Sequence, residues 1–336
     1  MNNFTRKRGR AVRLAMCVVI SGVCLYLAVR GMDFARALQE LKKSSPAPIM
    51  GAVLFLFLSY WIRAYRWSYL LLPVKQISIP PLFRSTVIGF MGNYVFPFRA
   101  GEIMRAVSIG QNQSISKAAA LGSIVLERIF DGLVISLTPL IVFAAIALPP
   151  WLMRLNTACL GLYIVGLVVL VIGTKRGWIE SWLTRTTGFL PLFCAQRSIS
   201  IAGEFLRGMN GINNAGALLP ISLLSLVCWL VHGLYFFFMF AALDIQLSFW
   251  SALIIQMVIG IGVILPAAPG YVGNFEYFTV LALGLFGISQ EAAFAYALLT
   301  HICEFVPVTA LGFFFVLRNG LQRELAVPEP VIPQAS

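Results

Sequence analysis

Apolar residues dominate six long runs, 11–30, 47–72, 118–148, 155–173, 217–243 and 291–317. Each is long enough to cross a bilayer as a helix, which takes about 20 residues, with some tilt allowed. Two further stretches, 82–105 and 250–287, are apolar but interrupted by Pro, Gly and charge. The pattern predicts an all-α polytopic membrane protein of about 6–8 transmembrane helices, the number depending on the broken stretches. Both can return to the side they entered from as re-entrant segments, or both can cross; parity permits either. No small-residue cleavage site follows 11–30, so that run reads as a retained helix rather than a signal peptide.

Composition agrees with the pattern. Hydrophobic residues make up 59% of the 336, charged residues 11%, and mean hydropathy is +0.86, which excludes an ordinary soluble domain. The net charge of +12 does not point to nucleic acid, because the cations flank apolar runs. Arg6, Lys7, Arg8, Arg10 and Arg13 crowd the N-terminus. With that terminus in the cytoplasm, Arg63, Arg66, Lys75 and Arg84 fall inside, as do Lys175, Arg176, Arg185, Arg197 and Arg207 and then Arg318 and Arg323. This is the positive-inside pattern, with juxtamembrane cations facing anionic lipid headgroups. The six cysteines are scattered without a CxxC and read as small membrane residues.

The chain therefore divides into a basic cytoplasmic N-terminus (1–10), a membrane domain (11–318) and a Pro-rich, disordered tail (319–336). Within the membrane domain, 174–216 carries Trp178, Trp182 and Phe189 among basic residues. It reads as a cytoplasmic interfacial segment or as a plain solvated loop.

Two stretches of the chain repeat. "ISKAAALGSIVLERIFD" at 115–131 aligns without gaps on "ISQEAAFAYALLTHICE" at 288–304, with six of seventeen positions identical. Glu127 meets Thr300, Arg128 meets His301 and Asp131 meets Glu304. Each segment follows a broken stretch, "NYVFPFRAGEIMR" or "LPAAPGYVGNFE", in which proline, glycine and glutamate come in that order. The alternative is coincidence between two Ala/Leu-rich helices. Genuine duplication with re-entrant breaks gives an inverted repeat, the architecture of transporters that alternate access about a midplane site. Irregular backbone at membrane depth is tolerated only inside protein or beside a water-filled cavity, and half-helix ends there can hold a headgroup.

Charges inside spans are expensive, so Glu127, Arg128 and Asp131 are expected to face inward, Arg128 with a carboxylate partner. They fit either an ion-pair cluster that locks helices or a site for an anionic headgroup or coupling proton. Arg99 and Arg105 fit a phosphate or the interface. Glu276 is the lone acid of the second break. His301 and Glu304, three residues apart, fit a proton relay or an interhelical hydrogen bond. His232, alone in an apolar span, reads as a satisfied core histidine.

"PFRAGEIMR", "ERIFDG" and "PAAPGYVGNFE", in this order and spacing, resemble the transmembrane region of lysylphosphatidylglycerol synthases, whose standalone members are flippase-like. The resemblance spans roughly 10–318. In bifunctional synthases this region is fused to a soluble aminoacyl-transfer domain and associated with moving the modified lipid between leaflets. No such domain lies in these 336 residues, so the resemblance implies translocation without synthesis. It implies a substrate-binding set of Asn93, Pro97, Arg99, Gly101, Glu102, Arg105, Glu127, Arg128, Asp131, Pro269, Gly270, Gly273 and Glu276. The family's substrates range over phospholipids, hopanoid-type lipids and polyprenyl-linked glycans.

The expected function is lipid translocation in a bacterial-type inner membrane, with the headgroup in a polar cavity and the acyl chains in lipid. Expected partners are the lipid itself, anionic headgroups and a separate lipid-modifying enzyme. No cofactor is expected, since the chain has no GxxxxGK[ST]. A headgroup or glycosyl transferase is the second reading, although the three aspartates (33, 131, 244) form no DxD and there is no HExxH. A non-catalytic scaffold is the third.

Overall fold

The computed structural model describes residues 3–142, 148–176, 192–213 and 215–325. Twelve α-helices carry these residues. The first six are α1 (Asn3–Val29), α2 (Phe34–Lys42), α3 (Pro46–Leu70), α4 (Ile79–Val95), α5 (Gly101–Gln113) and α6 (Lys117–Val142). The second six are α7 (Pro150–Arg176), α8 (Leu192–Met209), α9 (Ala215–Ala242), α10 (Phe249–Gly262), α11 (Asn274–Gly284) and α12 (Gln290–Leu325). The chain is an all-α polytopic membrane protein. Four helices, α3, α7, α9 and α12, are long and apolar enough to span on those grounds, and α1 with α2, bent by 83°, makes a fifth if the pair is counted as one broken span. α6 has the length, about 39 Å at 1.5 Å per residue, but carries Glu127, Arg128 and Asp131.

Both broken stretches fold back on themselves. In the first, Ser85 Oγ lies 3.0 Å from Ser108 Oγ, and a Cβ on Gly89 would meet Arg105 while one on Gly92 would meet Gly101. α4 and α5 are therefore an antiparallel hairpin. In the second, Asn274 Nδ2 donates to Gly262 O at 3.3 Å and Phe278 covers Gly262, so α11 returns along α10. The open choice between crossing and returning is resolved in favour of returning. Close approach explains the glycines: a Cβ on Gly101 would overlap the Gly89 carbonyl, and one on Gly273 (φ 89°) the Ser21 carbonyl.

The duplication is visible in the packing. α3 and α9 lie side by side in opposite directions: Ser45 N donates to Ala242 O (2.8 Å), Cys228 Sγ to Ser59 O (3.5 Å), and Arg66 to Ser225 Oγ (2.8 Å). Contacts within the first half have counterparts in the second. Arg63 pairs with Asp131 as His232 pairs with Glu304; Trp67 meets Ser123 as Phe236 meets Tyr296. Met104 covers Gly92 as Phe278 covers Gly262. Equivalent helices that run antiparallel make the repeat an inverted one. Two apolar cores are centred on Trp67–Leu82–Ile124 and on Tyr235–Ile255–Tyr296, and each draws on both halves: Leu56 and Tyr60 join the second, Ala217 and Ile221 the first.

α8 occupies part of the stretch read as an interfacial or solvated loop. It packs along α6, where Gly208 lies against the Ala119 carbonyl, and buries Leu206 and Met209. Trp178, Trp182 and Phe189, the side chains of 1–14 and 319–325, and the tail beyond 325 lie outside the described structure.

The hairpin crossing gives a test. Gly101→Val should lower stability in detergent by about 1–3 kcal/mol, as overpacking does, because the crossing backbones cannot separate. Gly161→Ala, where nothing lies within 4 Å, should leave the melting temperature nearly unchanged. Equal melting of both variants would contradict the tight crossing.

Candidate functional site

α6 brings three charges into the middle of the first half, and neighbouring helices answer each of them. Asp131, 3% exposed, accepts from Arg63 (2.7 Å), Arg66 (2.7 Å), Arg128 (3.2 Å) and Trp229 Nε1 (2.9 Å). Glu127, wholly buried, takes a bidentate pair from Arg105 at 2.9 Å on each oxygen, and Arg66 lies 3.2 Å away. Arg128 turns outward from this pair and reaches Glu102 at 2.9 Å. The fork of a guanidinium matches two carboxylate oxygens, which is why arginine fills every cationic position here. Trp67 completes the cradle, with the Arg105 guanidinium carbon 3.8 Å above its ring.

Arg63 and Arg66 had been counted among the cytoplasmic cations. They are 3% and 0% exposed and belong to the buried ion-pair cluster. The signal available in sequence was their spacing of three within an apolar run, which puts them on one helix face.

Between the halves lies a cavity of about 240 Å³. Arg63, Arg99, Arg128, Glu102 and Asp131 line it from the first half, and Trp229, His232, Gln256 and Glu304 from the second. It shares Asn93, Arg99 and Tyr271 with a second pocket of about 260 Å³, between the tips of the two hairpins, where Pro97 and Pro266 also lie. Phe98 and Arg99 both hold positive φ (61° and 53°), conformations that cost non-glycine residues energy. That backbone carries Arg99 to the junction of the two pockets. Its described contact is with the Val263 carbonyl at 3.3 Å, and no carboxylate lies within ion-pair distance among the described residues. Asn93 Oδ1 and Gln256 Oε1 are buried without a protein hydrogen-bond partner and belong to residues that line the same cavity.

The sequence-derived site residues thus separate into four groups. Asn93, Arg99, Glu102, Arg128, Asp131 and Glu304 line the cavity, and Pro97 lines the adjoining pocket. Arg105 and Glu127 lie beneath it and hold the cluster together. Gly101, Pro269, Gly270 and Gly273 shape the hairpins: Gly101 permits the α4–α5 crossing, and Gly270 and Gly273 take positive φ in the second break. Glu276 caps α11 through Gly273 N (2.6 Å) and binds His301 Nδ1 (2.6 Å). His232 was read as a satisfied core histidine. It is not one: both ring nitrogens are buried without a hydrogen-bond partner, and the ring faces the cavity. Among the described residues no three His, Cys, Asp or Glu side chains converge as a metal site requires.

A membrane-embedded, inverted-repeat helical protein with a charged cavity between its halves is the class that this fold and site define. The family model for the lysylphosphatidylglycerol synthase TM region matches residues 14–312, and the chain belongs to that family. It is 28% identical over 264 residues to a UPF0104 membrane protein of Methanothermobacter thermautotrophicus, covering 76% of this chain and 78% of that protein. Similarity at 19% identity to the UPF0104 membrane protein MJ1595 of Methanocaldococcus jannaschii covers 87% of this chain and 90% of that protein. Similarity at 23% identity to the glycosyltransferase AglD of Haloferax volcanii covers 95% of this chain but 56% of that protein.

Removing one member of a buried ion pair leaves the other charge uncompensated, at a cost of roughly 3–5 kcal/mol. Glu127→Gln should therefore unfold far below the wild type in detergent, while Glu40→Gln, which breaks an exposed pair with Lys43, should melt with it. A Glu127→Gln protein as stable as the wild type would show that the cluster does not hold the first half together.

Proposed function

We propose that the protein is a lipid translocator that passes a phosphate-bearing headgroup through the cavity between its two halves while the acyl chains remain in the bilayer. The observation that carries this reading is Arg99. It sits on strained backbone at the junction of both pockets, with a backbone carbonyl as its described contact. Five arginines (63, 66, 99, 105 and 128) face four carboxylates (Glu102, Glu127, Asp131 and Glu304) around this region, an excess of one positive charge. A buried excess of positive charge favours an anionic ligand, and a guanidinium suits phosphate. Irregular backbone at the hairpin tips gives such a headgroup a polar path.

The membrane is the cell's inner, cytoplasmic membrane in this reading, with the N-terminus inside. The cations of 6–13, Lys75, Arg84 and Arg318 support that orientation. Anionic headgroups, a lipid substrate and a separate lipid-modifying enzyme are the partners it implies. The name of AglD favours a second reading, glycosyl transfer to a lipid; the chain spans 56% of that relative.

Purified protein in liposomes, with headgroup-labelled lipids and a membrane-impermeant quencher, separates these. Leaflet exchange of phosphate-bearing lipids should be fast with wild type and at least about tenfold slower with Arg99→Ala, given the loss of a charge-assisted contact worth about 1.5–3 kcal/mol. Arg99→Ala should fold normally, since no carboxylate depends on it. No exchange by wild type would overturn the translocator reading. A glycosylated lipid formed by the protein alone from an added sugar donor would favour the transferase.

A further inference from the structure

The two halves carry the same ion-pair positions but differ in which cation fills them. In the first half the partners are fixed charges: Arg63 on Asp131 and Arg128 on Glu102. In the second they are imidazoles: His232 opposite Glu304 and His301 on Glu276. Aromatic donors cross between halves in the same way. Trp229 of α9 gives its Nε1–H to Asp131 at 2.9 Å, and Tyr60 of α3 gives its hydroxyl to Glu304 at 3.5 Å.

The two histidine pairs are not alike. His301 Nδ1 and Glu276 are 2.6 Å apart, with Glu276 also fixed by the Gly273 N–H, so this pair is closed and holds the end of α11. His232 Nε2 stands 3.8 Å from Glu304 Oε1, within ion-pair reach but beyond hydrogen-bond distance, and neither ring nitrogen has a hydrogen-bond partner. Both side chains line the cavity. Asp131, at the equivalent position, is saturated by three guanidiniums and an indole, whereas Glu304 meets no guanidinium: its neighbours are the hydroxyls of Tyr60 and Tyr94 and the imidazole. A buried carboxylate without a fixed positive charge beside it is costly as an anion unless a proton is bound there.

We propose that His232 and Glu304 form a proton-binding site that couples headgroup passage to proton uptake. The inference rests on the translocator reading above. A hydronium ion in the cavity gives its proton to His232 Nε2 and is left as water, its O–H bond replaced by the new N–H bond, and the imidazolium closes on Glu304. The groups that face this pair are Tyr60 and Arg63 from α3, Tyr94 from α4, Asp131 through Trp229, Tyr235 on α9, and His301 on α12. The other carboxylates nearby are each paired with a cation: Asp131 with arginines, Glu102 with Arg128 through Oε1, and Glu276 with His301. With the pair unprotonated, Glu304 repels an anionic headgroup in the shared cavity; with it protonated, the second wall is neutral. Proton and anion binding are therefore positively linked, and linkage is reciprocal.

Two measurements test this. The chain has only two histidines, so histidine-selective isotope labelling gives two ring signals in NMR, assigned with His301→Gln. The His232 signal should respond to pH, and the response should differ in Glu304→Gln; a signal that does not respond to pH overturns the proposal without any transport assay. In liposomes, wild-type exchange of anionic lipids should accelerate several-fold on acidification, and an imposed proton gradient should drive net accumulation in one leaflet. His232→Arg, which restores the fixed charge of the first half, should abolish the response to pH. Fast exchange that ignores both pH and gradient would overturn the proton site and leave the translocator standing. Absence of all exchange would instead remove the reading on which it rests.

Discussion

Asp131 is the residue around which the first half is arranged. A carboxylate 3% exposed in an otherwise apolar helix is tolerable only when its lone pairs are answered, and four donors from α3, α6 and α9 do so. This requirement fixes the register of three helices at one height. Because Trp229 comes from the second half, the same carboxylate also ties the halves together at the wall of the cavity. Glu127, one turn away on α6, repeats the device with Arg105 and so anchors the first hairpin.

Inversion of the repeat then decides where function can lie. α3 and α9 pack antiparallel, with the equivalent residues Ser59 and Cys228 in contact, so each half sees the other's cavity wall. The hairpin tips, with their Pro, Gly and positive-φ residues, meet at the mouth of that cavity. Backbone that a bilayer would not tolerate thereby lies beside a polar space, while Phe96, Phe98, Ile264 and Leu265 at the tips stay exposed. The apolar surface runs the other way: Leu162, Val165 and Val169 of α7, and Leu317 of α12, stay exposed, as lipid-facing residues do.

Much of this was legible in the sequence because it is local. Prolines and glycines marked the breaks, the charges of "ERIFDG" marked the inward face of α6, and the offset between Asp131 and Glu304 survives in the contacts. What was not legible depends on partners far along the chain. Arg63 and Arg66 looked like loop cations because their carboxylate is 65–68 residues away. His232 looked inert because Glu304 lies on another helix, and the return of the hairpins is set by packing that no hydropathy profile records. α8 hid inside a charged, aromatic connection because its buried face is short.

The central claim is that an anionic headgroup occupies the cavity between the halves, and its most direct test is cryo-electron microscopy of the protein in nanodiscs containing phosphate-bearing lipid. The account predicts headgroup density against Arg99 and Arg128, with the acyl chains leaving between the hairpin tips, and loss of that density in Arg99→Ala. Lipid ordered only on the outer surface, with the cavity holding water alone in every particle class, would contradict it.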